Sequence, residues 1–298
     1  MRVRATLWSI LDWVHGFAIR DFELPQDPVG LVVATSDGRF SLTSLGDILR
    51  SEVPSSMRDV AIAATAPRWW LPWGRLSDAV REGRRQTLRT LGAELFDYYS
   101  NNPAEGRAFT GAMSASSKQV ADELARVLDT TSAGHVVDVG DASGTLIAAL
   151  LVRNPLLQGT IIERPDVVPR AREAIAKRGL SSRCRVVEGD FFVALPEADI
   201  HVLKYIIHDW DDEQGVSILS NCARALRSGG RVVLVEVVVP EDDRPSFAPL
   251  LDLNMLVVTP GRERTARQYG DLFARAGLRL NQVIGTSSPF SVIEASAV

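Results

Sequence analysis

Cysteine is scarce. The 298 residues hold two, Cys184 and Cys222, and neither lies in a CxxC or Cys/His cluster, so neither a disulfide framework nor a zinc finger is expected. Histidine is as sparse: His15, His135, His201 and His208 show no metal-ligand spacing, and no metal is expected. No apolar run approaches the roughly 18 residues of a membrane span. The N-terminus begins Met1-Arg2-Val3-Arg4 and turns apolar, but Asp12 and His15 break the run and no small-residue cleavage site follows, so no secretory leader is expected. Excess positive charge is missing too. A net charge of -4 gives no general pull toward nucleic acid or anionic lipid.

What is present fits a chain of two domains. Hydrophobic residues make up 46% and charged residues 23%, the ordinary balance of a soluble protein. The cysteine usage points to a reducing, cytoplasmic setting. Residues 5–17 predict an amphipathic helix. Leu31–Ala34 and Arg39–Leu42 then flank Ser36-Asp37-Gly38, a hairpin signal. Thr43 or Ser44 caps a following helix with Leu45, Ile48 and Leu49 on one face. Helix, wing and helix predict a winged-helix-like module within a mainly helical domain over residues 1–118. A DNA reader of that kind needs a basic face, and the helix near Ser44–Arg50 offers Asp47 and only Arg50, so no nucleic-acid partner is expected. Trp69, Trp70, Trp73, Phe96, Tyr98, Tyr99 and Phe109 suit either core packing or the walls of a pocket for a flat substrate.

After a helix expected over 112–128, the grammar changes to alternating strands and helices. Strands are expected at His135–Val139, Gly159–Ile162, Cys184–Glu188, Ile200–Lys204 and Arg231–Val238, as continuous Val/Ile/Leu runs suited to buried parallel strands. Helices are expected at Thr145–Arg153, Val168–Arg178, Asp212–Leu226 and Ala266–Ala276, and strand-like runs at Leu278–Ile284 and Ser291–Glu294. The fold class expected is α/β: over residues 119–298, a Rossmann-like, doubly wound, mostly parallel sheet.

Four motifs fall at the strand ends where such sheets bind ligands. Val136-Val137-Asp138-Val139-Gly140-Asp141-Ala142-Ser143-Gly144 runs a strand into a turn that opens a helix, allowing close backbone approach. Glu163, about 20 residues further on, can accept both hydroxyls of a ribose. In Glu188-Gly189-Asp190-Phe191-Phe192, Asp190 can accept from an adenine amino group and Phe191 can lie on the ring. Leu203-Lys204-Tyr205-Ile206-Ile207-His208-Asp209-Trp210 places a histidine at the sheet's carboxyl edge, where its near-neutral pKa suits general-base work.

The run LKYIIHDWDDE resembles the LKxxxHDWxDE signature of the small-molecule O-methyltransferases, the acetylserotonin, caffeate and polyketide methyltransferase family. VVDVGDASG is similar to that family's VVDVGGGxG loop, EGDFF to its GDxF segment and GRERT to its GxERT segment, in the same order over about residues 30–298. The resemblance implies a class I methyltransferase fold, S-adenosylmethionine as cofactor, S-adenosylhomocysteine as product, a small-molecule substrate and a homodimer. It implies His208 as catalytic base, Glu236 pairing with and orienting the imidazole, and Glu263 as a second flanking carboxylate. Gly140, Glu163, Asp190, Phe191 and Lys204 match cofactor-contacting positions. Met113, Asp209 and Asn254 would face the substrate, with the region Asp252–Val258 forming pocket wall.

The chain departs from the family in two places. Asp141 and Ala142 replace loop glycines, with Asp141 adding charge close to the cofactor's carboxylate. Fewer helices precede the wing than is usual. Both departures leave open a family member that binds the cofactor yet hydroxylates, decarboxylates or cyclises without moving the methyl.

Overall fold

The structure, a computed structural model, describes residues 29–36, 39–53, 56–141, 143–242 and 244–298. The helix expected over 5–17, the Asp37-Gly38 turn and Ala142 lie outside these residues. Strands β1 (Val32–Ala34) and β2 (Phe40–Leu42) pair antiparallel, with Val32 opposite Leu42. The chain then runs through α1 (Ser44–Asp47), α2 (Arg58–Thr65), α3 (Pro67–Trp73), α4 (Leu76–Glu82), α5 (Thr87–Leu91), α6 (Leu95–Asn101) and α7 (Pro103–Val127). α1 is a single turn capped by the Thr43 hydroxyl, which accepts from Gly46 N at 3.1 Å. α7 begins at Pro103 rather than Ala112. Gly106 and Gly111 dilute its periodic signal, and packing of Ala108 and Ala112 on Ala63 of α2 restores the helix.

The second half follows the expected alternation: β3 (His135–Val139), α8 (Thr145–Arg153), β4 (Gln158–Glu163), α9 (Val168–Lys177), β5 (Cys184–Glu188), β6 (Ala198–Lys204), α10 (Asp212–Ala225) and β7 (Leu226–Glu236). The short strands β8 (Val238–Val239) and β9 (Arg264–Thr265) pair in parallel on either side of α11 (Ala248–Val258). A helix, α12 (Ala266–Arg275), and an antiparallel pair, β10 (Leu278–Gly285) and β11 (Ser291–Ala297), finish the chain. The main sheet has the order β10-β11-β7-β6-β3-β4-β5, parallel from β7 through β5.

Side-chain alternation splits the core between the two faces. Val136, Val202, Val233 and Val292 pack with α7, α8 and α9 on one face. Val137, Leu203, Val232, Leu234 and Ile293 pack with α10 and α12 on the other. Each such side chain, fully buried, is worth about 1.5–3 kcal/mol. α12 is fixed at its start by a reciprocal cap: Gln268 N donates to Thr265 Oγ1 at 3.3 Å, and Thr265 N donates to Gln268 Oε1 at 2.9 Å.

α7 crosses the expected boundary at residue 118 without a break, packing on α2 and on α8. The N-terminal helices also cover α11: Ala79 of α4 packs with Met255, Val257 and Val258, and Gln86 N donates to Val257 O at 2.8 Å. The region Asp252–Val258 is therefore helix, with part of its side chains committed to that layer. Among the described residues no helix is long and apolar enough to cross a membrane.

Candidate active site

β3 and β6 lie side by side, and the chain leaves them toward opposite faces of the sheet, which opens a crevice at their carboxyl ends. Gly140 follows β3 with φ 79°, and its N–H donates to Ile162 O at 3.0 Å. A Cβ there would lie 2.7 Å from Ile206 Cδ1, across the crevice. The turn thus needs glycine for its backbone angle and for close approach. Glu163 is buried at the tip of β4, and its Oε2 accepts from Arg164 N at 2.9 Å. Asp190 is exposed beyond β5, where its Oδ1 accepts from Phe192 N at 2.8 Å. Phe191 stands edge-on to Trp210 at 6.1 Å.

Lys204 is buried at the tip of β6, with Nζ 4.6 Å above the Tyr205 ring and 4.9 Å above Phe290. Burial pulls its ammonium down to about 8, against the pull of Asp141 and Glu236. Asp138 Oδ1 is buried without a hydrogen-bond partner beside the Gly140 turn. A glycine turn closed to side chains, an orphaned acidic oxygen, an acid at the next strand tip and an exposed acid with an aromatic beyond it fit a nucleoside carrying an amino-acid arm. Gly140, Glu163, Asp190, Phe191 and Lys204 are the residues that would hold it.

The turn after β6 gathers the ionisable groups. Tyr205 has φ 52°, a left-handed conformation that a side-chain-bearing residue adopts at a cost of about 1–3 kcal/mol. Its ring stacks on His208 at 4.2 Å and 5°. His208 sits in a short 3₁₀ turn, Ile207–Asp209. Its Nδ1 is 2.8 Å from Glu263 Oε1, and its Nε2 lies 3.7 Å from Asp209 Oδ1. Glu236 does not make the expected pairing with the imidazole. Its Oε1 accepts from Ile207 N at 3.0 Å instead, so it holds the backbone of the turn while Glu263 orients the ring.

Burial drives the His208 imidazole down, but Asp209, Glu236 and Glu263 outweigh it and lift it to about 9. Burial in turn raises Asp209 to about 6 and Glu236 to about 7, with His208 opposing both. Among the described residues no cluster has the makings of a metal site.

Asp209 joins the cluster, whereas Met113 and Asn254 are engaged elsewhere. Met113 packs on Ala63, Ala108 and Ala112. Asn254 Oδ1 accepts from the Trp73 indole at 3.1 Å, tying α11 to α3.

The sequence singles out none of three further residues of the site individually. Arg264 is fully buried. It donates to Asp212 Oδ1 at 2.8 and 3.1 Å, to Ile207 O at 3.0 Å and to Trp210 O at 2.8 Å, clamping the His208 turn to the segment that bears Glu263. Gly261 leaves no room for a side chain, since a Cβ would fall 1.9 Å from His208 O. Asp252 Oδ1 receives Glu263 N at 2.8 Å. The first two lie in the run GRERT; the signal was present as a motif, but nothing in it distinguished Arg264 from a surface arginine.

Comparison with known proteins agrees with this geometry. Residues 73–279 match the family described as O-methyltransferase domain. The phenazine O-methyltransferase of Lysobacter antibioticus is 35% identical over 271 residues, covering 91% of this chain and 79% of that protein. The aclacinomycin 10-hydroxylase of Streptomyces purpurascens is 34% identical over 265 residues, 86% of this chain and 71% of that protein. An O-methyltransferase from neocarzinostatin biosynthesis, solved with S-adenosylmethionine and 2-hydroxy-5-methyl naphthoic acid, superposes with a TM-score of 0.78 at 32% identity, over 91% of this chain and 82% of that one. The chain belongs to the O-methyltransferase family and is an S-adenosylmethionine-dependent O-methyltransferase.

Proposed function

We propose that this enzyme methylates a hydroxyl of a flat aromatic or polyketide-like small molecule, with His208 as general base. The observation that carries this is the Nδ1 contact to Glu263, which fixes the ring and leaves Nε2, beside Asp209, as the ring nitrogen able to take a proton. When bound, S-adenosylmethionine supplies a methyl group already activated on a sulfonium. The protein's share is alignment and proton removal. With its pKa raised to about 9, His208 is a strong base, well matched to a phenol of pKa about 10. The same shift leaves it neutral in only about one molecule in a hundred at pH 7. A phenol therefore trades a scarce base for an effective one.

Phe96 stacks on Trp210 at 6.0 Å, which brings the N-terminal aromatics directly over the His208 turn and supports a flat substrate between the two layers. The phenazine and naphthoate specificities of the relatives point the same way. We also infer a cytoplasmic homodimer: Cys184 and Cys222 are buried free thiols, and Trp70, Leu71, Val80 and Leu88 expose apolar surface on the N-terminal helices. Light scattering checks the dimer. The base assignment is tested with His208→Ala on hydroxylated phenazines and naphthoates. The expected loss in kcat is about 10²–10⁴-fold with cofactor affinity unchanged; methylation at the native rate would remove His208 from the mechanism.

A further inference from the structure

Asp141 stands where the family carries glycine, and it acts with a neighbour. Asp141 Oδ2 accepts from Leu146 N at 3.1 Å, and Asp138 Oδ2 accepts from Ile147 N at 3.2 Å. Successive N–H groups of one helical turn thus hold the two carboxyls side by side. Asp138 is buried, and its Oδ1 accepts from no donor. Asp141 is only partly buried and borders the crevice beside Gly140.

Two bare carboxylates so close cannot both stay ionised in a buried site. A proton on Asp138 Oδ1, donated to Asp141, removes the repulsion and gives the orphaned oxygen a partner. Burial and the adjacent Asp141 raise Asp138 well above the usual carboxylate range, and burial raises Asp141. The cations nearby offset burial at Asp141 only in part. Glu163 from β4 adds negative potential at Asp138, and the Cys184 thiol from β5, raised to about 12 by burial, is neutral. Lys204 from β6 and Arg178 beyond α9 act on Asp141 through space. The guanidinium of Arg178 is engaged by Ser143 O and Thr145 Oγ1.

We propose that the Asp138–Asp141 pair receives the α-ammonium of the cofactor's amino-acid arm, and that the shared proton leaves to solvent as the ammonium arrives. Charge balances in this exchange. Before binding, two carboxyls and one proton carry a single negative charge. Afterwards, two carboxylates and one ammonium carry the same. The buried site is never asked to hold an extra charge, and the ammonium offers several N–H donors where the proton offered one. Where the family's loop pattern carries glycine, this loop provides a titrating acid. This inference rests on the cofactor and not on methyl transfer, so an enzyme that bound the cofactor without moving the methyl would leave it standing.

The test is calorimetric binding of S-adenosylhomocysteine in buffers of different ionisation enthalpy, between pH 6 and 8. The expected result is release of about one proton per site, with affinity rising about tenfold per pH unit below the pKa of the free pair. 5′-Methylthioadenosine, which lacks the amino-acid arm, binds with no proton release. Asp141→Asn and Asp141→Gly bind S-adenosylhomocysteine with the release diminished and its pH dependence shifted, since burial alone still raises Asp138. A buffer-independent enthalpy for the native protein, equal release with methylthioadenosine, or undiminished release in either variant would overturn the proposal. The comparison of the two ligands stands on the native protein alone, so a variant that fails to fold does not remove the test.

Discussion

The turn that carries His208 and the loop that carries Asp141 leave neighbouring strands of one sheet edge, yet they are held in opposite ways. The turn is pinned by a cation. Arg264 places its donors on the carbonyls of Ile207 and Trp210 and on Asp212, while Glu236 takes the Ile207 N–H and Glu263 takes the imidazole. The loop is pinned by anions, with Asp138 and Asp141 accepting from the first free N–H groups of α8. In the turn, every bond restricts where one imidazole can point. In the loop, the bonds leave a carboxyl with a spare lone pair. One region is built for orientation and the other for adjustable charge, and the difference predicts which substitutions damage geometry and which change only titration.

The comparison breaks most visibly at the clamp. Arg264→Met leaves Trp210 O without its donor, Ile207 O with only the Trp210 N–H, and Asp212 with only Arg262. Leaving a buried carbonyl without its charged donor costs about 1–3 kcal/mol, read as a shift in the denaturant midpoint at constant slope. Arg264→Lys keeps the charge but not the planar fork, so it falls between. A methionine variant as stable as the native protein would show that the clamp is incidental.

Glu263→Gln sharpens the same side with less structural harm. The amide oxygen still accepts from Nδ1–H, but one of the negative charges that raise His208 to about 9 is gone. As the proposed base, His208 must be neutral to act, so that proposal expects kcat/KM to rise with pH through the His208 pKa. In the variant that rise moves to lower pH, while the plateau drops about 10–100-fold because the imidazolium formed on proton transfer loses its counter-charge. A pH profile that stays in place would sink the pairing.

On the loop side, Gly140→Ala forces a side chain into a left-handed backbone position and against Ile206 Cδ1 at 2.7 Å. The expected outcome is S-adenosylhomocysteine affinity weaker by about tenfold, roughly 1.4 kcal/mol, with the His208 pH profile unmoved. A change in that profile would mean that the two regions are mechanically coupled and the contrast between them is overdrawn.

How much of this was legible depended on whether the signal was local. The strands after residue 134 read correctly because Val136, Val137, Val202, Leu203, Val232 and Val233 form continuous apolar runs that only a two-sided sheet buries. The N-terminal helices were harder. α3 is seven residues long with Pro72 inside it, and α1 is four, so neither offers a period to count. His208 stood out as a candidate because it follows closely on an apolar strand that ends at Lys204. The division of labour between Glu236 and Glu263 was not, because only the packed turn decides which carboxylate meets Nδ1 and which meets a backbone N–H. Arg264 was invisible for a related reason: its partner Asp212 lies 52 positions away, and nothing adjacent to it announces burial.

The smallest effect tests the loop most finely. Asp141→Asn preserves an oxygen for Leu146 N, so the capping contribution of about 1 kcal/mol is kept. What changes is the acid. In the folded protein the pair binds its proton more tightly than the unfolded chain does, because both carboxyls are raised. The native protein therefore loses stability from this pair as pH climbs above the unfolded carboxylate value of about 3.9 toward the folded one. The asparagine variant removes the mutual repulsion and the titration of Asp141, and with them part of that slope, while the burial of Asp138 keeps the rest. Near pH 4 the two proteins should melt together; by pH 8 the variant should melt higher, by a few degrees if the difference is about 1 kcal/mol. Scanning calorimetry across that range decides it. A variant that falls progressively below the native protein as pH rises would mean that the ionised Asp141 is stabilised by Lys204 and Arg178 more than it is penalised by Asp138, and the loop would then be an ordinary charged cap.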